Sequence, residues 1–168
     1  MTALDAHGIG LEVPGGWDAR IAVRRDGEPE ILRSSSGTPV MRAHPRPVVH
    51  LANFGLPEER GDFGGGVVEL MGDRDVLIVV FEYEPEATSA ALFAATGMPR
   101  ELAPNDLDPS MLRRGLPGQA GFQGFFQEGG RAFCLYVVIG SHAARTRLVA
   151  LVNTVLAGVR ITPAASVA

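Results

Sequence analysis

The stretch QAGFQGFFQEGGRAFCLYVVI, residues 119–139, constrains the chain more than any other. Two β-type runs flank Gly129-Gly130, and a glycine pair suits the two-residue turn whose backbone matches the twist of paired strands. A hairpin closed there sets Phe126 opposite Phe133 and Gln123 opposite Tyr136. A directly opposed aromatic pair adds roughly 0.2–1 kcal/mol over Ala–Ala.

A second strong signal is VLIVVFEYE, residues 76–84. Its first half is apolar on both faces. Its second half alternates, with Phe81 and Tyr83 inward and Glu82 and Glu84 outward. That pattern predicts a central strand with one end in water. The preceding GDRD (72–75) reads as a turn, VVHLANF (48–54) as a strand, and GDFGGGVVELM (61–71) as the lead into another. ATSAALFAA (87–95) and DPSMLRRG (108–115) read as short helices, the second opened by Asp108 with Pro109 at its first position.

Near the start, Ile9–Val13 predicts a short strand, and Trp17–Arg25 alternates apolar with charged positions. Pro14-Gly15-Gly16 between them reads as a hairpin turn. The single Trp17 is then a structural peg at one end of the core. Residues 143–157 predict a helix whose stripe is Leu148, Leu151, Val152, Val155, Leu156 and Val159, capped by Ser141 and ended by Gly158. VRIT (159–162) follows as a last strand. Residues 26–47 hold four prolines and a triple serine. They read as a long loop with one edge strand around Ile31 and Leu32, and loops of that length are functional or mobile. The 168 residues fit one domain with flexible ends at about 1–8 and 163–168.

Composition narrows the chemistry. A hydrophobic content of 46% against 20% charged is globular rather than disordered. The net charge of −4 offers no bulk attraction to nucleic acid. All 15 basic residues are Arg, which reads as coding bias. One cysteine, Cys134, excludes a disulfide framework and predicts a buried, inert side chain. The longest apolar run is too short to span a bilayer, and the N-terminus lacks a signal pattern. The expectation is a cytoplasmic chain without a membrane span.

No catalytic constellation stands out. The glycine-rich stretches neither follow a strand nor open a helix, so they read as turns rather than phosphate loops. No histidine pair has metal-ligand spacing. His50 lies within a strand and reads as half-exposed. Glu82, Glu84 and Glu86 form a row that reads as the wet face of a strand end. No metal and no cofactor are expected.

The GLEVPGGWDARI stretch and the helix-to-strand ending LVALVNTVLAGVRI resemble the PsbP/Mog-like superfamily and related bacterial lipoproteins. The resemblance implies an α+β fold, a mainly antiparallel sheet flanked by helices in an α/β/α sandwich, and a binding or assembly role. It supplies no catalytic residue. The expected function is a non-enzymatic scaffold or protein-binding domain that engages another protein, with self-association into a homo-oligomer left open. The loops at 26–47 and 115–123 are its expected contact regions, represented by Arg33, Ser35, Leu116, Pro117, Gln119 and Phe122. The alternative is a small-molecule binder or hydrolase-like enzyme with a site between sheet and helix. A pocket with convergent polar groups would favour the second reading, and an exposed apolar patch the first.

Overall fold

The computed structural model describes residues 1–24, 31–33, 39–41 and 46–165, the two short middle stretches as backbone only. The fold is mixed α+β and mostly antiparallel sheet. Five strands form the main sheet in the order β3-β6-β7-β9-β8: β3 (Asp18–Arg24), β6 (Arg46–Ala52), β7 (Val76–Glu82), β8 (Ala120–Glu128) and β9 (Arg131–Ile139). Three more form a small sheet in the order β1-β2-β10: β1 (Thr2–Ala6), β2 (Ile9–Val13) and β10 (Val159–Ile161). A third pair joins β4 (Ile31–Arg33) to β5 (Pro39–Met41). Helix α1 spans Arg145–Leu156.

The β8–β9 hairpin has the expected register. Phe126 faces Phe133, Gln123 faces Tyr136, and the two rings stack with centroids 5.4 Å apart. Gly129 and Gly130 both take positive φ, 60° and 76°, as the tight turn requires. Strand β7 is the middle strand of five and is almost wholly buried, as its apolar run predicts.

Antiparallel pairing gives each main-sheet strand two alternating faces. On the first face, Val49, Leu51, Ile78, Val80, Leu135 and Val137 pack against Ile9 and Leu11 of β2 and against Leu148, Val152 and Val155 of α1. On the second, Val48, Leu77, Val79, Phe81, Cys134 and Tyr136 are covered by chain from the 54–71 and 112–116 segments. Among the described residues the only α-helix therefore lies on one face, and 3-10 turns and loops cover the other.

Several expectations are corrected. β2 and β3 are not a hairpin: β2 pairs with β1 and β10, and β3 pairs with β6. The Pro14–Gly16 turn carries the chain between layers, and Trp17 lies just before β3, half-buried with Ala19 and Ile21 against the first core. Residues 2–6 are a paired strand rather than a flexible end. Residues 61–71 are turns and a 3-10 segment (Val68–Leu70), because Gly64 and Gly66 adopt φ of +82° and bend the chain. The two expected short helices are 3-10 turns, at Pro85–Ser89, Ala91–Phe93 and Pro109–Met111. Asp108 does cap the last of these, accepting the Ser110 N–H at 2.7 Å. Leu151 is 36% exposed, and Val149 is buried in its place. Ser141 Oγ accepts the Ala144 N–H at 3.3 Å, ahead of a helix that starts at Arg145 without a side-chain cap. Gly158 is required by close approach: a Cβ there would sit 2.8 Å from the Glu12 carbonyl. The edge strand expected near Ile31 and Leu32 is β4, and most of the 26–47 stretch lies outside the described residues.

Glu82 is not on a wet face either. Its carboxylate takes both forks of Arg131, at 2.9 and 2.7 Å. Arg131 is 9% exposed and also donates to the carbonyls of His7, Gly8 and Thr162, each at 3.0 Å. One guanidinium thus joins the main sheet to the β1–β2 turn and to the residue after β10.

Candidate functional site

The second face carries a continuous aromatic chain. Phe63 stacks on Phe81 at 4.6 Å and meets Tyr136 edge-on at 5.7 Å. Tyr83 lies 4.8 Å from Phe81 and 5.1 Å from Phe93, and Phe93 meets Phe125 at 5.7 Å. The strands supply Phe81, Phe125 and Tyr136: Phe81 and Phe125 flank Cys134 across the two ladders, and Tyr136, two residues on from Cys134, shares its face. The turns supply Phe63 and Phe93. Two guanidinium groups sit over rings of this chain: the Arg24 carbon is 3.7 Å from the centre of Phe81, and the Arg113 carbon 3.6 Å from that of Phe63.

Beside Phe63 the covering segments leave a hollow of about 300 Å³, at the lower end of the ligand-site range of roughly 300–1,000 Å³. Phe63, Val68, Leu112 and Tyr136 form its apolar wall, and Glu69, Arg113, Arg114 and Gln119 bring polar groups to it. Gln119 is 6% exposed. Its Nε2 donates to the Val68 carbonyl at 2.7 Å, and its Oε1 has no partner. Burying an amide oxygen without a donor costs on the order of 1–3 kcal/mol. Tyr136 Oη accepts the Arg113 N–H at 2.9 Å, which ties the 112–114 segment to the sheet. Arg114 pairs with Glu69, and the other Glu69 oxygen accepts the Gly66 N–H at 2.9 Å.

Burial governs the ionisable groups around the hollow. It pushes the Tyr136 and Tyr83 phenols up. It also pushes the Cys134 thiol up to about 11, where the Gln123 amide 3.9 Å away only partly offsets it. His50, on the same face in β6, is 2% exposed and not half-exposed, because residues 54–66 fold over it. Its Nε2 lies 2.9 Å from the Asp62 carbonyl and its Nδ1 is unpartnered. Burial, then the nearby Arg60 charge, holds its pKa below 6.5.

No family model, no curated protein and no solved structure matches the chain. The site must therefore be read from its own groups. Among the described residues, no three His, Cys, Asp or Glu side chains are grouped to hold a metal ion. No described helix is long and apolar enough to cross a membrane.

Of the six residues expected at an interface, four are described with their side chains, and Leu116, Gln119 and Phe122 among them do not share one surface. Pro117 is exposed, while Leu116 is half-buried against the second core. Phe122 packs on the first core, across the sheet from Leu116. Gln119 is buried, with its Nε2 donating to the Val68 carbonyl, so it belongs to the hollow rather than to an exposed loop. Arg33 ends β4, its side chain lying outside the described residues, as does Ser35 altogether. Arg113, Phe63 and Val68 were not legible as site residues. The lining comes from four separate parts of the chain, and no local spacing marks it. The adjacent arginines at 113–114, set between Leu112 and Leu116, are the one sequence signal at the spot.

Proposed function

We propose that this protein is a non-enzymatic binding domain that seats a small ligand in the hollow beside Phe63. Of the two readings of the sequence, the geometry favours the small-molecule one. The single observation that carries it is the convergence of Arg113 and the buried, part-satisfied Gln119 on an apolar hollow. A few placed polar groups in an apolar concavity are the usual make-up of a ligand site. Binding rather than turnover fits the groups present: the Tyr136 oxygen is engaged, and burial opposes ionisation of both Tyr136 and the Cys134 thiol.

A protein partner is the second reading. Leu70, 70% exposed, adjoins Glu69 in the chain, and Pro117 is exposed two residues before Gln119. The proposal keeps the PsbP/Mog-like resemblance, supported by the turn into Trp17 and by a last helix that feeds a short strand. It also keeps a cytoplasmic location without nucleic acid as partner, supported by composition alone. The test is amide-shift mapping of a mixed small-molecule library on the whole protein, repeated with Leu112→Trp, which fills the hollow. Hits should map to residues 63–69 and 112–114 and vanish in the variant. Hits mapping elsewhere would reject the seat.

A further inference from the structure

We propose that the hollow takes a compact carboxylate with an apolar body, and that Arg113 is its anion anchor. This rests on reading the hollow as the binding site. Its two guanidinium groups are not equivalent. Arg114 is already paired with Glu69, and Glu69 is further held by the Gly66 N–H. The local negative charge is therefore turned toward Arg114 and the backbone. Among the described residues, no carboxylate lies within ion-pair distance of Arg113, which is exposed. Its guanidinium carbon lies over the Phe63 ring, 3.6 Å from the ring centre. The Arg113 side chain shares one hydrogen bond with the Tyr83 phenol, and the rest of its in-plane N–H edge has no other partner among the described residues. That edge geometry matches the two oxygens of a carboxylate, and the charge is permanent.

The rest of the ligand follows from the walls. Phe63 stacks on Phe81 at 4.6 Å and carries Arg113 at 3.6 Å, so most of its ring surface is already taken and its edge is what the ligand has left to meet. Contact is then with the Phe63 edge, Val68, Leu112 and the Tyr136 ring. These groups suit a compact apolar body rather than a wide stacked one. An apolar cavity of about 150 Å³ holds benzene, and this hollow has twice that volume, about 300 Å³. A body the size of one ring fits with its acid group at the rim. A bare oxyanion would leave the apolar wall unused and would meet only the Arg113 guanidinium.

The experiment is an amide-shift titration of the whole chain with three probes: benzoate, its neutral isostere benzamide, and inorganic phosphate. Benzoate should move the amides of residues 63–69 and 112–114 and bind at least about tenfold more tightly than benzamide, as one charged hydrogen-bonded contact implies. Arg113→Met should erase that preference. Arg147→Gln, on the exposed side of α1 over the opposite face, should keep it. The probe comparison on the unaltered protein decides the matter even if Arg113→Met folds poorly. Equal binding of benzoate and benzamide at these amides overturns the anion anchor and leaves the seat standing. Phosphate binding as well as benzoate overturns the apolar half. If no probe moves these amides, the seat itself is rejected along with its ligand class.

Discussion

Replacing Arg131 with Met tests the buried guanidinium that joins the main sheet to the small one. The Arg131 guanidinium makes five hydrogen bonds, two to Glu82 and one each to the carbonyls of His7, Gly8 and Thr162. Both partners of the ion pair are largely buried, with side chains 10% and 14% exposed. Met keeps most of the stem volume, so little of the effect comes from a cavity. The loss is electrostatic: Glu82 keeps a buried charge with no cation, and three carbonyls lose a donor. Removing one partner of a buried pair costs about 3–5 kcal/mol. At roughly 2–4 °C per kcal/mol for a chain of this size, the melting temperature should fall by about 6–20 °C. The assay is urea and thermal unfolding of wild type, Arg131→Met, Glu82→Leu and the double variant. Because Glu82→Leu leaves Arg131 charged but still bonded to three carbonyls, and the double variant leaves no charge, the double variant should be more stable than the sum of the singles predicts. A single-variant cost under about 0.5 kcal/mol, or a strictly additive cycle, would refute the account.

Three further outcomes are expected. His50 is held neutral by burial and the Arg60 charge, so the unfolded chain binds its proton more readily; the stability it contributes is present above pH 6.5 and is lost as pH falls below that value, by up to about 1.4 kcal/mol per pH unit, and His50→Gln should flatten the slope in a pH series of melts. Asn153 accepts the Leu102 N–H at 2.9 Å and donates to the Leu102 carbonyl at 3.0 Å, so Asn153→Ala should cost about 1–3 kcal/mol and speed hydrogen exchange at residues 100–107. A Leu102 amide as protected as in wild type would contradict it. The Cys134 thiol, fully buried and pushed up to about 11, should react with a thiol reagent only on unfolding, and fast labelling of the folded protein would show the second face to be open.

What was legible in the sequence follows the range of the interaction that decides it. The β8–β9 register is set by a two-residue turn, and Gly129-Gly130 announces it. The burial of β7 is written in its own run of apolar residues. The partners of β2 are not local: Pro14-Gly15-Gly16 looks the same whether the chain folds back or crosses to another layer, and β10 lies at the far end of the chain. Glu82 reads as solvent-facing because Arg131, 49 residues on, is invisible to alternation. His50 reads as half-exposed because a strand's pattern does not say whether a loop will cover it. The hollow fails for the same reason. Gln119 could be named as a site residue, but its burial under Val68 and its place beside Arg113 come from three segments meeting only in the fold.

The small sheet also sets a clock. β2 sits between β1 and β10, and Glu12 and Arg160, which close the β2–β10 edge with an ion pair, are 148 residues apart. At the usual synthesis rate of about 5–20 residues per second, β2 is made roughly 7–30 s before its second partner exists. Through that interval Ile9 and Leu11 lack the strand that completes their sheet, and helix α1, which packs over the same core, is itself only just being made. The nascent chain must carry an apolar first face uncovered until residues 145–161 emerge. Changes that weaken β10 should thus lower the yield of soluble protein in cells more than they lower the melting point of the molecules that finish folding.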